Sequence, residues 1–308
     1  MRTRRRGMAR ERSARTLRKF NLYGWPQQGP GADVDDYPEA DAWPVDMRLR
    51  VGTSGWAYPH WKGRFYPSSC PTSQHLAWYS RRMPTIEVNC TYYRLPAKTT
   101  FAKWRDATPD GFRFTVKAPG VITHEKRLVD VEADLAEFLA HAYELGEKLG
   151  ILLFQFPPGF KADLPLLRAF LELLPRDVRC AFELRHKSWF ARDTYLLLAE
   201  HERAFVVHDY NKKGTPLVET APFVYLRLHG PSGRYRGSYD AFALFQWAMQ
   251  THEWLDRGFE VVTYFNNDER AKSTFDAARY RELVGARAEP TLPARAPASP
   301  AHRWRRAP

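Results

Sequence analysis

An apolar strand that ends in arginine and histidine residues stands out in the stretch Phe223–Tyr239 (FVYLRLHGPSGRYRGSY). Aromatic and β-branched residues predict a strand over its first six positions, and the two-residue period places Tyr225, Arg227 and His229 on one face. The loop that follows contains three glycines and two further arginines. Glycines allow backbone N–H groups to approach a ligand, and guanidinium groups match carboxylate or phosphate geometry. The stretch therefore predicts an anion-recognition site, and the alternative is a turn with solvated arginines.

Charged residues occupy equivalent positions on three other predicted strands. Glu87, Lys117 and Glu183 each lie on the strand face opposite to an apolar set. If the apolar faces pack under helices, the charged side chains point towards a common centre. Buried charges are costly unless they are paired, so these groups must pair, bind a ligand, or both. Catalysis or ligand binding is one interpretation, and an internal salt-bridge network with a structural role is the alternative.

Strand and helix patterns alternate from Arg48 onward. The predicted strands are Arg48–Thr53, Thr85–Asn89, Phe112–Lys117, Ile151–Gln155, Arg179–Leu184, Ala204–His208, Phe223–Leu228 and Glu260–Phe265. The predicted helices are Gln74–Arg82, Lys98–Ala107, Val131–Leu149, Leu164–Leu174, Thr194–His201, Ala241–Arg257 and Ala271–Val284. Predicted N-caps are Ser73, Asp130, Asp163, Asp193 and Asp240. Only the connection between the sixth and seventh strands lacks a helical pattern.

This alternation indicates an α/β fold, a single (β/α)8 barrel, whose active site lies where the strands end. A doubly wound open sheet is the alternative, but its glycine-rich fingerprint is missing from the GTSGW that ends the first strand. We expect residues 48–284 to form the barrel. Residues 1–47 read as an Arg-rich extension and linker, and residues 285–308 as a Pro/Ala/Arg-rich tail, both predicted to be disordered.

Composition limits the classes of function. The net charge is +12, of which residues 1–20 carry +8 and residues 285–308 carry +4, so the centre is neutral and the basicity lies in the ends. The sequence has no apolar run of 18 residues, so no membrane-spanning helix is predicted, and no secretory signal is visible. The three cysteines, Cys70, Cys90 and Cys180, form no C-x-x-C motif, so a cytoplasmic location is expected. No motif identifies a cofactor or an oligomeric state.

Several reaction classes stay open on the residues alone. A glycosidase needs two carboxylates, for which Glu87 and Glu183 are candidates. Metal-assisted hydrolysis needs three or more ligands, which His208, Asp209, His229 and Asp268 would supply. A non-enzymatic alternative is binding of nucleic acid or a protein partner, with the basic ends contributing electrostatic attraction.

Seven sequence blocks resemble the YecE-like family, domain of unknown function 72. They are VGTSGWAYPHWKGRFYP, TIEVNCTYYRLP, GFRFTVKAPGVITHEKRL, LFQFPP, FELRHKSW, YLRLHGPSGRYRGSY and YFNND, in this order over about Arg48–Val284. The resemblance implies a (β/α)8 barrel and a shared site, and it implies no reaction. Its motif residues fall on Glu87, Asn89, Tyr92, Tyr93, Arg94, Lys117, His124, Gln155, Glu183, Arg185, Trp189, Arg227, His229, Tyr235, Gly237, Tyr239, Asn266 and Asn267.

We therefore predict an aromatic-walled polar site that binds, and on one interpretation transforms, a small anionic or phosphorylated ligand. The candidate catalytic residues are Glu87, Lys117, Glu183 and His229. The candidate ligand-binding residues are Asn89, Tyr92, Arg94, His124, Gln155, Arg185, Trp189, Arg227, Arg234, Tyr235, Gly237, Tyr239, Asn266 and Asn267.

Overall fold

Parallel strands alternate with helices along the chain, and the strands close on themselves. The structure is a computed structural model that describes residues 48–212 and 214–285. The strands are β1 (Leu49–Ser54), β2 (Thr85–Val88), β3 (Arg113–Lys117), β4 (Leu149–Gln155), β5 (Arg179–Glu183), β6 (Ala204–His208), β7 (Phe223–Leu228) and β8 (Glu260–Phe265). Each pairs with the next along the chain, and β1 also pairs with β8. The predicted (β/α)8 barrel is confirmed.

Helices connect most of the strands. They are α1 (His75–Ser80), α2 (Cys90–Tyr93), α3 (Lys98–Asp106), α4 (Glu132–Ala142), α5 (Leu164–Leu173), α6 (Arg192–Glu200), α7 (Ala241–Asp256) and α8 (Lys272–Gly285). Among the described residues between β6 and β7 there is no α-helix, only a 3-10 turn at Tyr210–Lys212, as the sequence predicted. The short helix α2 and a π-helical turn at Val121–Glu125 were not predicted. Both follow strands and lie near the carboxyl end of the barrel.

The predicted helix caps are only partly confirmed. Asp163 and Asp240 each accept a hydrogen bond from the amide three residues later, at 3.0 and 2.7 Å. The prediction was wrong for Ser73, Asp130 and Asp193. Ser73 lies inside a 3-10 turn that precedes α1, and Asp193 lies inside the first turn of α6. Asp130 has a φ of 51° and comes one residue before the cap of α4. A Ser or Asp near the start of a helix can be the N-cap residue or a residue next to it, and the residue type alone does not distinguish these positions.

The predicted alternation of side chains across the strands is confirmed. Tyr225 on β7 and Ala181 on β5 belong to the hydrophobic cluster inside the barrel, and their neighbours Leu226 and Phe182 belong to the layer between strands and helices. Inside the barrel, the hydroxyl of Tyr264 bonds threonine hydroxyls of β2 and β3 at 2.6 and 2.8 Å. Aliphatic and tyrosine side chains thus fill the lower interior, and the charged residues lie above them at the carboxyl ends of the strands.

The predictions for the basic ends lie outside the described residues. Residues 1–47 and 286–308 carry the Arg-rich extension and most of the Pro/Ala/Arg-rich tail. Their predicted disorder and their predicted attraction for nucleic acid therefore stay predictions. Within the described part of the chain, no helix combines the length and apolar character needed to cross a membrane.

Candidate functional site

All eight strands bring a polar residue to the same end of the barrel. Each of these residues ends its strand, precedes the last strand residue, or comes directly after the strand: Ser54, Glu87, Lys117, Gln155, Glu183, His208, Arg227 and Asn266. Since the strands are parallel and closed, these side chains share one end of the barrel. This is the end at which barrels of this class carry their active sites.

A guanidinium group links two carboxylates across the barrel interior. Arg227 donates from Nη2 to Oε1 of Glu87 at 2.6 Å and from Nη1 to Oε2 of Glu183. All three side chains are at most 2% exposed. Both carboxylates also stabilise the charge of Arg227: burial would lower its pKa, but Glu183 and Glu87 raise it well above the usual range. Three of the predicted interior charges, Glu87, Glu183 and Arg227, therefore pair with one another.

Glu87 is fully occupied by donors. Besides Arg227, the hydroxyl of Ser54 donates to Oε1 at 2.7 Å and the hydroxyl of Tyr225 donates to Oε2 at 2.6 Å. Burial alone would raise the pKa of Glu87, but the charge of Arg227 and these hydrogen bonds outweigh it and lower the pKa. The carboxylate is therefore ionised at neutral pH and has little capacity to accept a proton from a ligand.

Glu183 carries a second arginine that faces outward. The Nε of Arg185 donates to Oε1 of Glu183 at 2.6 Å, and its side chain is 10% exposed. The guanidinium lies 4.1 Å from the centre of the Tyr210 ring, and Nη2 lies 3.5 Å from the hydroxyl of Tyr235. Burial would raise the pKa of Glu183, but Arg185 and Arg227 hold it well below the usual range. Arg185 therefore forms the outer edge of the network.

Lys117 is held by neutral groups. Its Nζ donates to Oε1 of Gln155 at 2.9 Å and lies 4.2 Å from the centre of the Tyr92 ring. Among the described residues it forms no salt bridge with a carboxylate. Burial and then the positive charge of Arg227 lower its pKa from 10.5 to about 8. A substantial fraction of Lys117 is therefore a neutral amine at mildly alkaline pH.

A neutral histidine adjoins Lys117. His124 lies on the π-helical turn, with Nδ1 2.8 Å from the hydroxyl of Thr123 and Nε2 3.4 Å from Nε2 of Gln155. Its ring packs edge-on against Tyr92 with centroids 4.8 Å apart. Burial and then the charge of Lys117 lower its pKa to about 4. Lys117, Gln155, His124 and Tyr92 therefore form one contiguous group.

Two further histidines line the opposite side of the same end. The rings of His208 and His229 are 5.8 Å apart, and Tyr210 and Tyr235 lie 5.4 and 5.5 Å from His229. Burial lowers the pKa of both imidazoles, that of His208 to about 4. The Nε2 atoms of both are buried without a hydrogen-bond partner among the described residues, as is Oδ1 of Asn89. Buried polar atoms are normally satisfied, so these are positions for ligand or solvent contacts.

Asp209 connects the histidine pair to the loop after β7. Its Oδ1 accepts the amide of His229 at 2.6 Å and lies 3.4 Å from Nδ1 of the same ring. The second distance is close enough for attraction, but Nδ1 has no aligned hydrogen bond. Oδ2 accepts the hydroxyl of Tyr239. Asp209 thus fixes the loop and the backbone of His229.

The amides of the three glycines in the loop after β7 are directed to acceptors of the protein, whereas the sequence predicted that they are open to a ligand. The amides of Gly230, Gly233 and Tyr235 donate to Tyr239 Oη, Gly230 O and His229 O at 2.6, 2.7 and 2.7 Å. Gly237, a predicted ligand residue, directs its amide to Glu269 at 3.5 Å. Gly230 is required for another reason: its φ is 90°, and a Cβ would lie 2.6 Å from a backbone oxygen. The glycines shape the loop and leave anion contacts to side chains.

Three other predicted ligand residues have structural positions. Trp189 is fully buried in the core and donates to the carbonyl of Phe160 at 2.7 Å. Asn267 donates to Gly237 O and to Asp276 Oδ2 at 2.8 and 2.7 Å. Tyr239 is buried between Gly230 and Asp209. These side chains hold the loops that surround the site. Trp189 packs in the core next to the end of β5, and its predicted ligand contact stays a prediction.

The remaining predicted residues differ in exposure. Arg94 and Arg234 are exposed, and Arg234 has one long contact, 3.4 Å from Nε to Asn211 Oδ1. Asn266 is 8% exposed, and its backbone N–H donates to the carbonyl of Leu228 at 2.7 Å. The structure therefore concentrates the charged site on β2, β3, β5 and β7, and the two exposed arginines lie outside the buried network. The clearest omission from the predicted site residues is Tyr225. The two-residue period of β7 places its side chain on the inner face, where its hydroxyl can donate to an acid.

The four predicted metal ligands do not converge. His208, Asp209 and His229 are neighbours, but Asp268 lies with His60, 3.8 Å from its Nε2. In the described part of the chain, no group of three or more His, Cys, Asp or Glu side chains is arranged to hold a metal ion. The residues therefore do not fit the metal-assisted alternative.

Sequence comparisons connect the chain to one family. It matches the family model described as Protein of unknown function DUF72 over residues 50–301, which continues past residue 284. The UPF0759 protein YecE of Escherichia coli (strain K12) is 32% identical over 145 residues, which are 47% of this chain and 51% of that relative. The match thus spans about half of its length. The UPF0759 protein YunF of Bacillus subtilis (strain 168) is 26% identical over 270 residues, 77% of this chain and 94% of that relative.

Solved structures agree with the fold. A DUF72 family protein from Thermotoga maritima has a TM-score of 0.70 and 31% sequence identity, over 77% of this chain and 98% of its own. A DUF72 family protein from Enterococcus faecalis has a TM-score of 0.66 over 77% of this chain and 95% of its own. At 21% identity the latter supports the fold alone.

Proposed function

The chain belongs to the DUF72 family of proteins of unknown function, and from this premise we propose that its barrel binds and transforms a small anionic or phosphorylated ligand at the carboxyl ends of the strands. One observation carries the proposal. Three cations, Lys117, Arg185 and Arg227, share the network with two carboxylates, Glu87 and Glu183. One positive charge, that of Lys117, has no carboxylate partner among the described residues. An anion would complete the pairing.

Arg185 is the better anion contact of the two arginines. Arg227 is enclosed between Glu87 and Glu183, so binding a ligand there would first require breaking a buried ion pair. Arg185 uses Nε for Glu183, and its Nη1 has no hydrogen-bond partner among the described residues. A guanidinium with an unused edge is suited to carboxylate or phosphate. The neutral rings of His208 and His229 would add uncharged contacts from the opposite side.

Lys117 is the best-supported group for proton transfer. Catalytic acids and bases work best when their pKa is near the operating pH, and burial brings that of Lys117 to about 8. Glu87 and Glu183 have lowered pKa values and several donors each, so both stay ionised. We therefore assign the two carboxylates to positioning of Arg227 and Arg185. The neutral imidazole of His229 is assigned to ligand contact.

The experiment that tests anion binding compares two arginines. Thermal unfolding of the full chain is measured with inorganic phosphate, glycerol 3-phosphate and lactate, for wild type, Arg185→Gln and Arg234→Gln. Arg234 is the matched control because it is exposed and lies in the loop after β7. A ligand at 100 times its Kd stabilises by about 2.7 kcal/mol, which raises the Tm by roughly 5–10 °C in a domain of this size.

We expect at least one anion to raise the Tm of wild type and of Arg234→Gln, and to leave that of Arg185→Gln unchanged. Loss of the shift in Arg234→Gln alone would move the anion contact to the exposed loop. No shift with any of the three anions would overturn the proposal.

A further inference from the structure

We propose that Lys117 is a nucleophile that forms a Schiff base with a small carbonyl compound bearing an anionic group, a carboxylate or a phosphate. This inference rests on the proposed function and names the substrate class of the same site. Its basis is the geometry around the amine. Lys117 ends β3 inside the barrel, and its Nζ donates to a neutral amide oxygen and lies over an aromatic ring face, with no salt bridge to a carboxylate in the described part of the chain. Two arginines are close enough to act on its charge.

The surroundings favour the neutral amine that such chemistry requires. A lysine paired with a carboxylate keeps its proton, whereas one that is desolvated or placed beside other cations gives it up more readily. Burial and then the charge of Arg227 lower the pKa of Lys117 to about 8. They outweigh the charges of Glu183 and Glu87, which raise it, and Arg185 lowers it further. At pH 8 about half of it is unprotonated, about 100-fold more than for an ordinary lysine.

The same geometry separates the reacting amine from the anion contact. Arg185 lies on the Glu183 side of the network with Nη1 available, and it is close enough to influence the pKa of Lys117. The anionic group of the substrate would bind Arg185, which directs the carbonyl carbon towards Nζ. The product iminium keeps one positive charge at Nζ, so the balance with Glu87 and Glu183 is the same as for the ammonium.

The step balances without any oxidant or reductant. The lone pair of Nζ forms a bond to the carbonyl carbon, and the C=O π electrons move to oxygen, which takes a proton to give a carbinolamine. Nζ loses a proton in the same stage. The hydroxyl then takes a second proton and leaves as water, and a C=N double bond forms. His124 is neutral, adjoins Gln155 and would be the uncharged base that relays these protons.

Reductive trapping tests the inference. The full chain at pH 8 is incubated with sodium cyanoborohydride and either pyruvate or glyceraldehyde 3-phosphate, and adducts are located by intact mass and peptide mapping. Lactate and glycerol 3-phosphate are the matched anions that have no carbonyl group. Variants are Lys117→Arg, which keeps the charge, and Lys148→Arg. Lys148 is the matched control: it is also part-buried, but its amine donates to the carbonyls of Arg105 and Thr108 at 2.6 and 2.5 Å.

We expect one carbonyl compound to add to Lys117 at least about tenfold faster than to Lys148, because burial lowers the pKa of Lys117 whereas the amine of Lys148 donates to two backbone carbonyls. The adduct disappears in Lys117→Arg and persists in Lys148→Arg. Which probe reacts identifies a carboxylate or a phosphate as the anionic group. Equal labelling of both lysines would overturn the inference.

Two failures are distinguishable. If Lys117 is not labelled while lactate or glycerol 3-phosphate still raises the Tm through Arg185, the nucleophile assignment is wrong and the anion site stands. If Lys117 is not labelled and none of these anions raises the Tm, both proposals are wrong.

Discussion

Arg227 and Glu87 are 140 residues apart in the sequence, and Nη2 of the arginine donates to Oε1 of the acid at 2.6 Å inside the barrel. Glu183, on the opposite wall, binds the other terminal nitrogen of the same guanidinium. The strand order places β2, β5 and β7 around one closed ring, so this single side chain connects three walls. The interior ion pairs and the residues that we propose for ligand binding therefore belong to one connected arrangement.

Replacing Arg227 with methionine should destabilise the fold severely. The change leaves two buried carboxylates without their shared partner, which typically costs about 3–5 kcal/mol. Arg168→Met is the matched control, because Arg168 forms a two-point ion pair with Glu200 at 3.1 Å on the surface, and exposed pairs contribute about 0–1 kcal/mol. Urea unfolding of both variants measures the difference. Equal losses would show that the interior pairing contributes no more than a surface bridge.

A companion variant separates charge from packing. Adding Glu87→Gln to Arg227→Met removes the carboxylate that is left without a cation, while Glu183 keeps Arg185, so part of the lost stability should return. If the double variant is less stable than Arg227→Met alone, the loss arises from packing around the arginine and not from buried charge.

Tyr239 should stabilise the loop after β7 through its hydroxyl. Tyr239→Phe leaves the buried amide of Gly230 and one oxygen of Asp209 without this partner, and we expect a loss of about 1–3 kcal/mol. Tyr235→Phe is the control from the same loop, since its exposed hydroxyl has one contact at 3.5 Å. Urea unfolding should show a change near zero for Tyr235→Phe. A comparable loss in both would contradict the assigned role of Tyr239.

The sequence predicted most of the fold because local rules determine it. The bounds of β6, β7 and β8 were correct to the residue, and alternation along β7 correctly placed Tyr225 and Arg227 on the inner face. Strand alternation depends only on neighbouring residues, and helices between parallel strands leave few topologies. The inward direction of the charges followed from the same rule.

The roles within the site could not be predicted, because they depend on distances across the barrel. The sequence shows that Arg227 points inward, but not that two acids enclose it. It shows glycines after β7, but not that the amide of Gly230 is taken by Tyr239. Likewise, no local pattern shows that Lys117 meets a neutral amide, Gln155, in place of a carboxylate.

Helix capping offers a stability test of the corrected assignments. Asp163 accepts the amide of Leu166 at 3.0 Å, whereas Asp193 lies within the first turn of α6 and makes no cap. Asp163→Ala should cost about 1 kcal/mol. Asp193→Ala removes only a favourable interaction with the helix dipole, about 0.3–1 kcal/mol. Thermal unfolding compares the two, and a larger loss for Asp193→Ala would contradict the observed helix start.

Lys117→Met should make the protein more stable at pH 7. The folded state lowers the pKa of Lys117 from 10.5 to about 8, so below pH 8 the charged lysine opposes folding by about 3 kcal/mol. Between these two values the unfolded chain binds more protons at this site than the folded one, so the wild type gains stability as the pH rises. The advantage of the variant should therefore shrink from pH 8 and disappear near pH 10.5.

Urea unfolding of both proteins at pH 7 and at pH 10 measures the difference. Because Lys117 has no carboxylate partner among the described residues, no buried acid is left unpaired by the change. Lower stability of Lys117→Met at pH 7, or a difference in stability that does not vary with pH, would show that folding does not lower the pKa of Lys117.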